Sequence, residues 1–148
     1  MMKIAVVYVS MSGNTEAIAD IIAAELKEQK HEVFLTDMLS IQNATDLLNY
    51  DVTFIGMYTW GDGDYPDECL DIIDELEKLN LEDQLFAIFG SGDTAYAEFC
   101  GALDKLKELI ENQGGVVLSD PLRIDNDPEP EDEADIKEFV SDALMVFK

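Results

Sequence analysis

Residues 10–15 read SMSGNT and follow the apolar run Ile4 to Val9. Ser10, Ser12, Asn14 and Thr15 carry side-chain hydrogen-bond donors, and Gly13 permits a tight turn. The helix-like stretch that follows would offer its first N–H groups and the positive end of its dipole. Such a set suits a phosphate. It lacks the lysine of a GxxxxGK[ST] loop, which reaches terminal phosphates, and the Cys and Arg of a phosphate-hydrolysing loop. A terminal phosphate that is bound and not broken fits the donors best, although a strand-to-helix turn capped by Ser and Thr would read the same way by itself.

Two further stretches are unusual. Thr59 to Asp64 (TWGDGD) holds the only tryptophan. A large ring at a loop tip beside glycines either packs on the domain's own edge or stacks on a ligand. Gly90 to Cys100 (GSGDTAYAEFC) has Gly90 and Gly92, where backbone could approach a ligand closely, and a second ring in Tyr96 that could equally be a plain surface tyrosine. Phe99 and Cys100 start a helical period and read more readily as core residues than as ligands. Cys69 and Cys100 stand in no metal-ligand spacing and His31 is the only histidine, which argues against a zinc site or a histidine-based triad.

The elements that would position these stretches can be read from periodicity. Lys3 to Val9, His31 to Thr36, Asp51 to Met57, Gln84 to Gly90 and Gly115 to Ser119 read as five short, mostly apolar strands of a sheet buried on both faces. Between and after them lie helical periods: Ile18 to Leu26, Cys69 to Leu79, Phe99 to Ile110 and Ile136 to Phe147, with a short helix expected over Asn43 to Asn49. Pro66 suits the first turn of the second main helix, and Gly114-Gly115 the end of the third. A chain of 148 residues, 47% hydrophobic, has room for one domain over residues 1–148. Alternation of strand and helix predicts an open, mostly parallel sheet with helices on both faces and ligands at the carboxyl ends of the strands. The three unusual stretches follow strands one, three and four, so they converge at one edge. Jointly they describe a pocket for a flat ring on a phosphorylated tail.

Charge limits the partners. Thirty-three acidic against nine basic residues give a formal net charge of −24, which repels nucleic acid and anionic lipid and favours basic partners. No apolar run reaches the roughly 20 residues of a membrane helix, and Met1-Met2-Lys3 leads into a strand rather than a signal peptide, so a cytoplasmic protein is expected. Residues 62–83 hold ten acids against Lys78 alone. Most serve a solvated helix face, and the patch would also steer a basic partner. Asp125 to Asp135 carries seven acids in eleven residues and reads as a solvated loop.

In the order and spacing of SMSGNT, TWGDGD and GSGDTAYAEFCGALD, the whole chain resembles the flavodoxins, small carriers of flavin mononucleotide (FMN). It is similar to the short-chain type, because Val116 to Ile124 leaves no room for the long insertion that splits the last strand of the other type. The resemblance, not periodicity, implies the doubly wound five-stranded order 2-1-3-4-5. It implies that Ser10, Ser12, Asn14 and Thr15, with backbone around Met11 and Gly13, bind the FMN phosphate, helped by Tyr58 and Thr59. Trp60 would stack on the inner face of the isoalloxazine and Tyr96 on the outer. Backbone of Gly61, Asp62, Asp93 and Cys100, with Ser91, Gly92 and Phe99 nearby, would edge the ring, and the Gly61-Asp62 peptide would reorient on reduction so that the Gly61 carbonyl accepts from flavin N5–H.

The function so implied is that of a monomeric, low-potential one-electron carrier, not an enzyme, working between a flavodoxin or ferredoxin reductase and acceptor proteins. A carboxylate ~10 Å from the flavin would raise the energy of its reduced anion by roughly 0.4 kcal/mol in water. An FMN-dependent reductase and an activator dedicated to one enzyme are the alternatives. A receiver-type signalling domain needs an acidic pair after strand one and a phosphorylatable Asp after strand three, where this chain has Ser10 and Thr59-Trp60.

Overall fold

Strands that are apolar at every position need cover on both faces, and the architecture supplies it. The computed structural model describes residues 2–11, 13–59, 63–92 and 100–147. Strands β1 (Lys3–Tyr8), β2 (Glu32–Asp37), β3 (Val52–Tyr58), β4 (Leu85–Gly92) and β5 (Val116–Val117) form a sheet in the order β2-β1-β3-β4-β5, and β6 (Leu122–Asp125) also pairs with β4. Every pairing is parallel.

Alternate residues of β1, β3 and β4 feed two separate cores, whereas β2, expected to be buried on both faces, lies at the sheet edge and leaves Phe34 and Leu35 exposed. On one face Ala5, Val7, Ile55, Met57, Phe86 and Ile88 meet Ile72, Ile73 and Leu76 of α2 (Leu70–Leu76) and Leu103, Leu106 and Ile110 of α3 (Gly101–Asn112). On the other, Ile4, Val6, Phe54, Ala87 and Phe89 meet Ile18, Ile22 and Leu26 of α1 (Asn14–Glu28) and Ile136, Phe139 and Val140 of α4 (Asp132–Leu144). Among the described residues no helix is long and apolar enough to cross a membrane.

The expected doubly wound α/β architecture is therefore present, with three further local corrections. The fifth position of the sheet is shared by two short segments rather than one run over residues 115–119. Residues 116 and 117 pair with Leu85 and Phe86, Leu118 N–H donates to the Phe86 carbonyl at 2.7 Å, and Leu122 to Asp125 then pair with Phe89 to Gly92. Pro121 cannot donate to a ladder, and Ser119 adopts a left-handed φ of 56°, so the strand is interrupted between its two segments.

The second helix is shorter than its apolar period. It is preceded by a 3₁₀ turn over Asp67–Cys69, with Pro66 one place before that turn rather than inside it. The turn over Ala44–Asn49 is likewise 3₁₀. Finally, the acidic run at residues 125–135 is only partly loop. Asp125 ends β6, while Asp132, Glu133 and Asp135 lie in the first turn of α4, where carboxylates complement the helix dipole. Gly114 ends α3 as expected, at φ 93°, with its N–H on the Glu111 carbonyl and that of Gly115 on the Ile110 carbonyl.

Candidate functional site

At the carboxyl edge of β1, Val9 N–H still donates to the Gly56 carbonyl (3.1 Å), so the chain leaves the sheet at Ser10. Gly13, at φ 90°, then reverses it into α1, and its N–H donates to Ser10 Oγ at 3.1 Å. A Cβ at Gly13 would meet nothing within 4 Å. The backbone angle, not crowding, requires glycine here, and the backbone lies open. The first intrahelical bond runs from Ala17 N–H to the Gly13 carbonyl at 3.0 Å. The N–H groups of Asn14, Thr15 and Glu16 precede it at the positive end of the helix. Thr15 is fully buried, and its hydroxyl lies 2.7 Å from that of Ser91 on β4. Met11 is exposed, and Ser12 lies outside the described residues.

The second loop begins one ladder position from Ser91, because Tyr58 pairs with it across β3 and β4. The Tyr58 hydroxyl donates to the Glu68 carboxylate; burial, then this bond, raise the phenol's pKa above its ordinary value. That hydroxyl is engaged away from the first loop. Thr59 Oγ1 accepts the N–H of Ala102 in the first turn of α3 at 3.2 Å, and Asp64 pairs with Lys105 at 3.1 Å. Trp60, Gly61 and Asp62 lie outside the described residues.

In the third stretch β4 ends at Gly92 and the described residues resume at Cys100; Asp93, Tyr96 and Phe99 lie outside them. Ser91 is 3% exposed and Cys100 fully buried, the latter at a left-handed φ of 54°. Burial pushes the Cys100 thiol up to about 12 against the opposing charge of Arg123, which makes it a packing residue and not a nucleophile. So Ser10, Gly13, Asn14 and Thr15 are brought together with Ser91, and Thr59 with the start of α3.

The donor set fits a phosphate monoester. Hydroxyls and main-chain N–H groups at a helix start bind a dianion without titrating, and residues 10–15 hold no lysine, arginine or cysteine. A flavodoxin family model matches residues 6–139. A probable flavodoxin 2 of Bacillus subtilis is 45% identical over 139 residues, 94% of this chain and 92% of that one. The chain belongs to the flavodoxin family. The crystal structure of oxidised flavodoxin 2 from Bacillus cereus superposes with a TM-score of 0.93 at 41% identity, covering 98% of this chain and 99% of the other. A short-chain flavodoxin associated with a non-canonical PDU bacterial microcompartment gives a TM-score of 0.93 at 26% identity, with both chains covered completely.

Sequence reasoning about this flavodoxin did not single out two pairs at the site. Tyr8, at the end of β1, donates to Glu16 in the first turn of α1 at 3.0 Å. Burial first, and this bond second, push its phenol up to about 12. Arg123 on β6 reaches the Cys100 carbonyl at 3.2 Å and Asp104 at 2.5 Å. The signal for Arg123 was present in the sequence as a lone cation before a long acidic run, but its placement depended on β6, which the strand pattern did not predict.

Proposed function

We propose that this flavodoxin shuttles single electrons on FMN between a reductase and acceptor redox proteins with basic faces. Ser10, Ser12, Asn14 and Thr15, with the main chain of Met11 and Gly13, would hold the phosphate. Trp60 and Tyr96 would cover the two faces of the ring, and the main chain of Gly61, Asp62, Asp93 and Cys100 would meet its polar rim. When bound, FMN supplies the electron-accepting ring. The protein's part is to bind the tail, exclude water from the ring and set the surrounding charge.

The observation that carries this reading is the first loop, where Gly13 at φ 90° opens α1 beside buried hydroxyls, in a stretch, residues 10–15, whose sequence holds no lysine or arginine. The net field of a −24 protein opposes a dianion, so affinity must rest on short-range hydrogen bonds and stacking. Tyr58 would contribute through its main chain, since its hydroxyl is bonded to Glu68. A monomer working in the cytoplasm and having no substrate turnover of its own completes the reading.

The test is to mix apoprotein with FMN and follow flavin fluorescence, then titrate the complex with reductant. Quenching at one equivalent, followed by two separate one-electron steps, is expected. A protein that leaves FMN fluorescence unchanged would overturn the reading, and oxidation of a nicotinamide cofactor without added reductase would replace it with an enzyme.

A further inference from the structure

Residues 93–99 carry Tyr96 and are bounded by Gly92 and Cys100, and one short strand holds both boundaries. β6 runs beside the end of β4, from Leu122 opposite Phe89 to Asp125 opposite Gly92. Just beyond it, Asn126 at φ 56° turns its N–H onto the Gly92 carbonyl at 2.7 Å. From within it, Arg123 Nη1 donates to the Cys100 carbonyl at 3.2 Å, and Nη2 meets Asp104 Oδ1 at 2.5 Å.

Cys100 needs holding. A non-glycine residue in the left-handed region costs roughly 1–2 kcal/mol, and its carbonyl must also stay aligned to accept Leu103 N–H at 3.0 Å, the first bond of α3. The planar guanidinium spans this carbonyl and a carboxylate one turn along, a geometry that a flexible ammonium does not reproduce. As an ion pair alone the contact with Asp104 is worth little, since the two side chains are 30% and 60% exposed. Its value lies in where it fixes the main chain.

We propose that Arg123 is a positioning residue for the flavin ring: by bridging the Cys100 carbonyl and Asp104 it presets the main chain at Cys100, while the Asn126 N–H holds that at Gly92, the two residues that bound the stretch carrying Tyr96. The inference rests on the FMN reading above. Preorganisation of this kind raises affinity by removing the ordering cost from the binding step. Because it acts at the ring and not at the phosphate, it favours FMN and riboflavin, which lacks the phosphate, by the same factor.

The experiment titrates apoprotein with FMN and with riboflavin, using wild type, Arg123→Ala, Arg123→Lys and Asp104→Asn, with thermal unfolding of each apoprotein as the check on folding. Arg123→Ala is expected to weaken both flavins equally, by about tenfold. Arg123→Lys, which keeps the charge, is expected not to restore either. The surface variant Asp104→Asn is expected to weaken both by a smaller common factor, and it carries the test if Arg123→Ala does not fold. Unchanged affinities in the folded variants would overturn the inference while leaving the FMN reading intact. So would a loss confined to FMN and restored by lysine, which marks a distant charge acting on the phosphate. Wild-type protein that binds neither flavin would overturn the FMN reading itself.

Discussion

The hydroxyls of Thr15 and Ser91, 76 residues apart in the chain, lie 2.7 Å from each other at the carboxyl edge of the sheet. Both residues are buried, at 0% and 3% exposure, so the start of α1 is bonded to the end of β4 out of water. The start of α1 and the end of β4 are thereby set relative to each other before any ligand enters. Removing one hydroxyl leaves its partner buried without that bond. Thr15→Val is expected to cost the apoprotein about 1–2 kcal/mol in urea unfolding. The double variant Thr15→Val with Ser91→Ala should cost less than the two singles combined, by about 1 kcal/mol. Strictly additive costs would show that the two hydroxyls do not interact.

Two glycines separate backbone strain from crowding. Gly56 on β3 faces Phe89 on β4, and a Cβ there would lie 2.2 Å from the ring. Gly56→Ala must displace a core aromatic, and a loss of about 2–3 kcal/mol is expected. Gly13→Ala meets open space but keeps an unfavourable φ of 90°, so about 1 kcal/mol is expected. Equilibrium unfolding of both variants checks the order; a larger loss at Gly13 than at Gly56 would refute it.

His31 gives a pH dependence of known sign. Burial lowers its pKa below the ordinary 6.5, and Nδ1 accepts the N–H of Met2 at 3.2 Å, which requires that nitrogen to be unprotonated. Between the lowered folded value and 6.5 the unfolded chain binds more protons than the folded one, so stability rises with pH through that window. The penalty is absent well above pH 6.5 and grows as the pH falls below it. An NMR titration should place the His31 midpoint under 6.5, and His31→Gln should flatten the stability profile just below that pH. A midpoint above 6.5 would reverse the argument.

The acidic surface predicts salt-sensitive electron transfer. Exposed Asp67, Glu68, Asp71, Asp74 and Glu77 lie on or beside α2, which follows the second loop. A basic reductase should reach the flavin severalfold more slowly when ionic strength rises from about 0.01 M to 0.5 M, as the screening length shrinks from ~30 Å to a few Å. Stopped-flow rates that do not change over that range would remove the steering role.

The sequence by itself determined the sheet, its two covered faces and the edge at which function would lie. The strands are continuous apolar runs, the helices carry regular apolar periods, and the glycine and hydroxyl content of residues 10–15 is a local signal of an anion site. Periods and caps are encoded within a few residues, so they survive reading without a partner in view. Only the tertiary structure decided that the fifth position divides into β5 and β6, because short segments acquire strand character from the β4 ladder that they pair with and not from their own pattern. The same holds for the Thr15–Ser91 bond, the capture of the Tyr58 hydroxyl by Glu68 and the reach of Arg123 to Cys100. Each joins residues whose distance in space is set by the packing of different elements, and composition carries no record of that distance.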